Sequence, residues 1–331
     1  MNYLITGITG FAGPHLARLL LDEGHEVYGL IRGSNGRETD LLDVMTEAEL
    51  KRIRWLVADL VDFPSLEQVI RQNALDGIFH LAAQSHPPTS FSQPVMTFQN
   101  NVMGSVNLIE AVAQHQPHCK LHFCSSSEVY GNQQDCEWTE DAPIKPANPY
   151  GATKAAIDIF MQERLRNQYI RGFITRAHCH TGPRRGYRFS ISSDAYQIAK
   201  MILDLQEPVL LIGNLDTTRQ VMDVRDCVRA YYRLMQADLK HHVYNVSTDR
   251  SYAMRFFTET LIKLSGLKDV VQKIHPPFWR PIDIQAQHSR TERLRSEIDW
   301  KPEIPIEQTL GDLLAYWVVK LRKTVEEYKN E

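Results

Sequence analysis

The feature that most constrains this chain lies at its start. A short apolar run, Asn2 to Thr6, passes into TGITGFAG, and Leu16, Leu19 and Leu20 then recur at helical spacing between Pro14 and Glu23. An apolar run of that length bounded by glycines reads as a buried strand. Gly24 supplies the stop of the helix. Gly7, Gly10 and Gly13 therefore stand in a turn between strand and helix. Glycines there permit a tight turn and bring backbone N–H groups up to a pyrophosphate at the helix N-terminus. The spacing is GxxGxxG rather than GxGxxG, and its place directly after the first strand gives it weight.

The pattern then repeats. Strands are expected over Glu26 to Ile31, Ile53 to Ala58, Gly77 to Ala82, Lys120 to Ser125 and Gly172 to Ala177. Helices are expected over Pro64 to Gln72, Pro94 to Gln114 and Tyr150 to Asn167. Strands alternating with helices pair in parallel through right-handed crossovers, so the fold class is α/β, a doubly wound parallel sheet of Rossmann type. Beyond residue 177 the alternation weakens. HTGPRRG, GNLDTTRQ and HPPFWRPID separate helical segments at Ser193 to Leu205, Asp226 to Ala237 and Phe256 to Leu264. We expect a dinucleotide-binding domain over 1–177, with later segments returning near 221–247, and a smaller α/β substrate lobe over 178–331. From Lys320 the tail reads as a charged helix end.

Composition excludes several classes. With 43% hydrophobic and 23% charged residues in 331, the chain is not generally disordered. A net charge of −3 offers no basic field for nucleic acid. No apolar run reaches the roughly 20 residues that cross a bilayer. MNYLITG carries neither a basic region nor a small-residue cleavage site, so a cytoplasmic protein is expected. Cys119, Cys124, Cys136, Cys179 and Cys227 form no CxxC pair, which fits a reducing compartment. No metal is expected: His115, His118 and His122 are suggestively spaced, but Pro117 breaks any shared helix face.

The end of the second strand separates NAD from NADP. An acid there holds the ribose 2′-OH of NAD. This chain has Ile31 and then Arg32, with Arg37 nearby. An acid would repel a 2′-phosphate, whereas an arginine fork can clamp one, so NADP is expected. Asp59, after the third strand, is placed either for the adenine amino group or as an ordinary strand-end cap.

Tyr150 and Lys154 sit four apart in PYGATK, on one face of the expected helix. A free phenol, with a pKa of about 10, is a poor base at neutral pH. A neighbouring ammonium and an oxidised nicotinamide would lower it. The fifth strand ends in CSSSEVYG. In extended backbone, residues two apart face one side, so Ser126 and Glu128 would point together at the sheet's C-terminal edge, where ligands bind. Serine and tyrosine can bracket a sugar hydroxyl during hydride removal, and a carboxylate one step further can move a proton at the adjoining carbon.

These pieces carry a resemblance. TGITGFAG, LAAQSHPPTSF, SSSEVYG, NPYGATK, GPRRG, GNLDTTR and WRPID span nearly the whole chain. The sequence resembles the extended short-chain dehydrogenase/reductase family, in its nucleotide-sugar-modifying group. The likeness is nearest to the GDP-mannose 4,6-dehydratase and GDP-4-keto-6-deoxy-mannose reductase branches. The resemblance implies a catalytic set of Ser126, Glu128, Tyr150 and Lys154. It implies a cofactor site formed by Gly7, Gly10, Phe11, Gly13, Arg32, Asp59, Leu60, Leu81, Ala82, Ala83, Tyr150 and Lys154. For a GDP-sugar it implies Ser85, Ser90, Cys179, Arg185, Asn214, Arg219, Arg280 and Asp283. The reaction implied is a GDP-sugar 4,6-dehydration by internal hydride transfer through NADP, on GDP-mannose or a related GDP-heptose. An NADPH-dependent 4-keto-6-deoxy-sugar reductase is the alternative. A nucleotide-sugar epimerase and a non-catalytic NADP-binding protein fit less well.

Three positions depart from the family pattern. Cys179 stands where the family usually carries Asn, Gln220 replaces the Asp after the phosphate-binding arginine, and the acid after RP is Asp283 rather than Glu. The long stretch from Arg32 to Leu50 matches a loop that builds tetramers in the dehydratases, so the resemblance implies a homodimer or homotetramer.

Overall fold

The structure, a computed structural model, describes residues 1–33, 37–133, 137–279 and 284–330. Six strands follow in the expected order: β1 (Asn2–Thr6), β2 (Glu26–Ile31), β3 (Arg54–Val57), β4 (Gly77–His80), β5 (Lys120–Cys124) and β6 (Arg171–Ala177). A seventh, β10 (Val243–Val246), returns much later and pairs with β6. The order across the sheet is β10-β6-β5-β4-β1-β2-β3, and every pairing is parallel. Strand order reverses between β1 and β4, and the crevice beyond the carboxyl ends of those strands is where such sheets take ligands.

Both faces of the sheet are covered. Tyr3 and Ile5 pack with α1 (Ala12–Asp22), while Leu4 between them packs on the opposite side with α3 (Phe63–Gln72) and α6 (Gly104–His115). Burial on both faces is why these strands read as unbroken apolar runs. The 94–114 stretch is not one α-helix. It divides into α5 (Pro94–Phe98), a π-helical turn at Gln99–Met103, and α6. Asn101 explains the bulge: its amide turns inward, accepting from Gln84 N at 2.7 Å and donating to the Thr153 hydroxyl at 3.0 Å. A short helix, α4 (Pro87–Ser92), precedes it, and α2 (Glu47–Leu50) lies in the stretch after β2.

The second lobe holds β7 (Cys179–Thr181), β9 (Thr218–Asp223), β11 (Ser251–Ala253) and β13 (Ala286–Gln287) in a small sheet, and a separate pair, β8 (Val209–Ile212) with β12 (Val271–Ile274). Its core lies between α8 (Ser190–Ile202), α10 (Met254–Ser265) and α12 (Ile306–Asn330). Of the segment expected to return near 221–247, α9 (Val224–Gln236) lies beside α1 and β10 joins the main sheet, whereas β9 pairs within the small sheet. The short α11 (Glu292–Ile298) packs near β10. The spaced histidines go to different places: His122 is buried with its Nε2 against the Thr175 hydroxyl, and His115 pairs with Glu67 at 2.9 Å.

Two buried charges matter for stability. Asp158 of α7 (Pro149–Arg166) is 0% exposed and receives both Nε and Nη2 of Arg176 at 2.9 Å. It also accepts from the Ser125 hydroxyl at 2.7 Å. Arg176 reaches on to Tyr130 and to the Glu140 carbonyl. This cluster ties β6 and α7 to the end of β5. In the other lobe, burial pushes the carboxyl of Asp194 up to about 7, against a hydrogen bond from Thr258. Above 3.8 an unfolded chain ionises this group while the folded chain keeps its proton. Stability is therefore lost as pH rises towards 7. The Asp194→Asn variant is expected to hold its thermal midpoint between pH 5 and 8 better than wild type. Parallel midpoint-versus-pH curves for the two proteins would refute this.

Candidate functional site

The turn after β1 is built to come close to something. Gly7 has φ +73°, and a Cβ there would lie 2.7 Å from the Ala82 nitrogen. A Cβ on Gly13 would lie 2.5 Å from the Ile8 carbonyl oxygen. Gly10 donates back to the Gly7 carbonyl at 2.9 Å. Helix α1 begins at Ala12, two residues earlier than expected, and no side chain caps its first turn. A dinucleotide phosphate fits such a glycine cradle. The Gly7→Ala change should strain the backbone by about 1–3 kcal/mol before counting the clash. It is expected to lower the thermal midpoint and to yield protein without bound dinucleotide, read from the absorbance of the purified protein.

The cradle is braced from the second lobe. Arg184 donates to the carbonyls of Gly10, Thr9 (3.2 Å) and Asp40 (3.0 Å). Asp43 accepts in turn from Tyr316 at 3.0 Å and Lys320 at 2.6 Å. The stretch between Arg32 and Leu50 is thus tied to α12 of its own chain. Arg32 is exposed just past β2, and the side chain of Arg37 lies outside the described residues. Leu60, Leu81, Ala82 and Ala83 are half-buried at the ends of β3 and β4. Asp59 caps its own turn, its carboxylate accepting from Val61 N at 3.1 Å.

Ser126 and Glu128 meet beyond β5, but not through extended backbone. Ser127–Val129 is a single 3-10 turn, and the Ser126 hydroxyl caps it by accepting from Glu128 N at 3.2 Å. The turn, not strand alternation, brings the two side chains together. Asn148 caps the facing helix α7 with its Oδ1, while its Nδ2 donates to Glu128 Oε2 at 2.6 Å. Gln287 of β13 donates to the other carboxylate oxygen at 3.4 Å.

Tyr150 and Lys154 follow on one face of α7, both buried. The Tyr150 hydroxyl lies close enough to Ser126 for the serine to act on it. Burial pushes this phenol well above its ordinary value, the Cys124 thiol and Glu128 carboxylate adding to the rise, while Ser126 and the Arg185 guanidinium oppose it. Lys154 was expected to lower the phenol. Instead its ammonium donates to the Cys124 carbonyl at 2.7 Å and lies 4.9 Å from the centre of the Phe123 ring. Burial lowers the pKa of Lys154.

The expected substrate residues do not all face the site. Ser90 is fully buried: its hydroxyl donates to the Pro87 carbonyl and accepts from Tyr150 N. It supports the first turn of α7, so the expectation of a substrate contact is corrected. Ser85 is exposed. Arg185 stacks 3.4 Å from the centre of Phe189 and 4.7 Å from that of Phe11, with Cys179 and Tyr150 near enough to act on its charge. Its guanidinium is pulled down to about 10 by burial. Phe11 also stacks on His180. Cys179 is exposed on β7 and donates weakly to Gln287 Oε1 at 3.9 Å. Asn214 accepts from Asp216 N, closing its own turn, and Arg219 is buried with Nη1 on the Thr218 carbonyl. Arg280, Asp283 and Cys136 lie outside the described residues.

Sequence reading missed Asn148, Gln287 and Arg184. Asn148 directly before Pro149 is a helix-start signature and could have been found. Gln220, noted as a departure, is fully buried: its amide donates to the Thr248 and Ser289 carbonyls and accepts from Ser247 Oγ and Ser289 N. It holds loops of the second lobe together.

Comparison with known proteins follows from this geometry. The family model described as GDP-mannose 4,6 dehydratase matches residues 4–313. A Yersinia enterocolitica protein named GDP-mannose 4,6-dehydratase is 27% identical, over 94% of this chain and 92% of its own length. A Pseudomonas aeruginosa protein named GDP-6-deoxy-D-mannose reductase is 29% identical, over 96% and 98%. Among solved structures, that of RMD from Pseudomonas aeruginosa complexed with NADPH superposes with a TM-score of 0.81 at 27% identity, covering 96% of this chain and 99% of its own.

Proposed function

This chain belongs to the GDP-mannose 4,6-dehydratase family, and from that premise we propose that it converts a GDP-hexose, GDP-mannose or a related GDP-heptose, into its 4-keto-6-deoxy form. One observation carries the reading: a buried carboxylate, Glu128, stands beside the Tyr150–Ser126 pair and is held at both oxygens. An oxidation alone needs only the tyrosine, serine and lysine. A second proton-moving group is what an elimination requires.

The glycine cradle at Gly7, Gly10 and Gly13, with Phe11, Asp59, Leu60, Leu81, Ala82, Ala83, Tyr150 and Lys154, fits a nicotinamide dinucleotide. NADP is our reading, supported by Arg32 past β2 and by the NADPH in the similar Pseudomonas structure. A bound nicotinamide would supply a hydride acceptor at sugar C4 and a hydride donor at C6, with no net consumption of reductant. Tyr150, ionised in the field that the oxidised nicotinamide would supply, would take the C4 hydroxyl proton, with Ser126 orienting that hydroxyl. The resulting ketone acidifies C5, and Glu128 removes the C5 proton. Glu128 then gives that proton to the departing C6 hydroxyl, which leaves as water. Tyr150 returns its proton to C5, and both residues end as they began. Ser85, Cys179, Arg185, Asn214, Arg219, Arg280 and Asp283 are our candidates for the sugar and the GDP.

The second reading is an NADPH-dependent reduction of a GDP-4-keto-6-deoxy sugar, favoured by the 29% identical Pseudomonas reductase. The deciding experiment supplies no reductant. Purified protein is mixed with GDP-mannose and a small panel of GDP-heptoses, and product mass is followed. Loss of one water supports the dehydratase. No mass change, with NADPH consumed once a GDP-4-keto-6-deoxy sugar is supplied, supports the reductase. We also propose a homodimer or homotetramer, which a monomer mass by light scattering would end. No helix among the described residues is long and apolar enough to cross a membrane.

A further inference from the structure

Glu128 sits on a single 3-10 turn, which fixes its backbone but leaves its side-chain torsions free. What holds the carboxylate comes from elsewhere. Asn148 grips one oxygen from the start of α7. Gln287 grips the other from β13, a strand of the second lobe whose register against β9 sets Gln287 opposite Arg219.

Gln287 is 1% exposed, so both ends of its amide must find partners within the protein. A carboxylate has only acceptors to offer, so the NH2 end faces Glu128. The carbonyl end then faces the Cys179 thiol, the donor 3.9 Å away. The Glu128 carboxylate thereby sets which way the amide points, and the Cys179 thiol occupies the carbonyl end.

We propose that Gln287 is a positioning residue for Glu128: with Asn148 it forms an amide clamp across the two lobes, its far end occupied by the Cys179 thiol. The clamp keeps the carboxylate aimed at the reacting carbons while Ser126 and Tyr150 hold the hydroxyl beside them. The inference rests on the dehydratase reading for its catalytic consequence, but the contact itself does not.

The test uses full-length protein and two substitutions. Gln287→Met keeps length and loses the amide. A hydrogen bond to a charged group lost from the reacting arrangement should cut kcat for GDP-mannose dehydration roughly tenfold, with KM little changed. Gln287→Glu sets a second carboxylate against the first, and like charges favour protonation. The acidic limb of its kcat profile should move up by about one pH unit. A merely structural role would not move that limb. The third readout needs no turnover: alkylation of Cys179 by iodoacetamide, followed by the mass of its peptide. Without the Gln287 carbonyl the thiol loses its acceptor, and alkylation at neutral pH should quicken about threefold.

Folded Gln287→Met with wild-type kcat, or with an unchanged Cys179 alkylation rate, would overturn the proposal. If the wild-type protein removes no water from any GDP-sugar, the dehydratase reading fails, and the alkylation rates still decide whether the clamp exists. If Gln287→Met does not fold, the Gln287→Glu profile and its alkylation rate decide in its place.

Discussion

The Glu128→Gln variant is expected to lose water elimination by a factor of roughly 10²–10⁴, the range that a placed general acid–base group supplies. The change is nearly isosteric, and the 3-10 turn that carries the residue is capped by Ser126 through the backbone, so the turn should persist. Tyr150, Ser126 and Lys154 are untouched. The first half of the cycle, oxidation at C4, should therefore continue. Two measurements separate these halves. Exchange of the sugar C5 hydrogen with deuterated solvent should stop, and product one water lighter should not form. A nicotinamide absorbance change on mixing with GDP-mannose should remain. A variant that eliminates water at the wild-type rate would remove Glu128 from the mechanism and assign the C5 and C6 proton transfers to another group.

Substituting Arg176 should produce the largest loss of stability. Arg176 is 2% exposed and Asp158 0%, so Arg176→Met leaves a buried carboxylate without its counter-ion. Breaking a buried pair from one side costs about 3–5 kcal/mol. The Ser125 hydroxyl and the Gln162 amide still donate to Asp158, but two neutral donors cannot replace a bidentate guanidinium. Urea unfolding monitored by tryptophan fluorescence would read the change. The double variant Arg176→Met with Asp158→Leu should recover most of the loss, because removing both charges removes the desolvation problem. If the single variant unfolds at the wild-type midpoint, the cluster does not hold β6, α7 and the end of β5 together as described. The effect should reach the site as well, since Ser125 adjoins Ser126.

The parts of the fold legible in the sequence are those with a long repeat. β1 and β2 end where the apolar runs end, because strands buried on both faces need apolar residues at every position and turns at both ends. β7, β11 and β13 have three, three and two residues, too few for any alternation to show, and their sequences mix polar and apolar residues. The π-turn at Gln99–Met103 was hidden for a different reason. Its cause is the side chain of Asn101 reaching Gln84 and Thr153, a contact that helical periodicity does not record. In the site, Tyr150 and Lys154 were legible because four-residue spacing on a helix fixes their common face. Ser126 and Glu128 were named correctly as neighbours for the wrong reason, a turn having replaced the extended backbone. Ser90 looked like a substrate contact in sequence, yet its hydroxyl is spent inside the protein. Gln287 carried no local signal at all. It reaches Glu128 across 159 residues of sequence, and only strand register puts it there.

The brace on the glycine cradle bears on how the chain is made. Asp43 is held by Tyr316 and Lys320, which follow it by 273 and 277 residues. Synthesis runs from the N-terminus, and early domains fold while later ones are still emerging. The phosphate-binding turn is therefore translated long before part of its support. A ribosome must add 277 residues after Asp43 before both of its partners exist, and until then a nascent chain carries the turn without that part of its support.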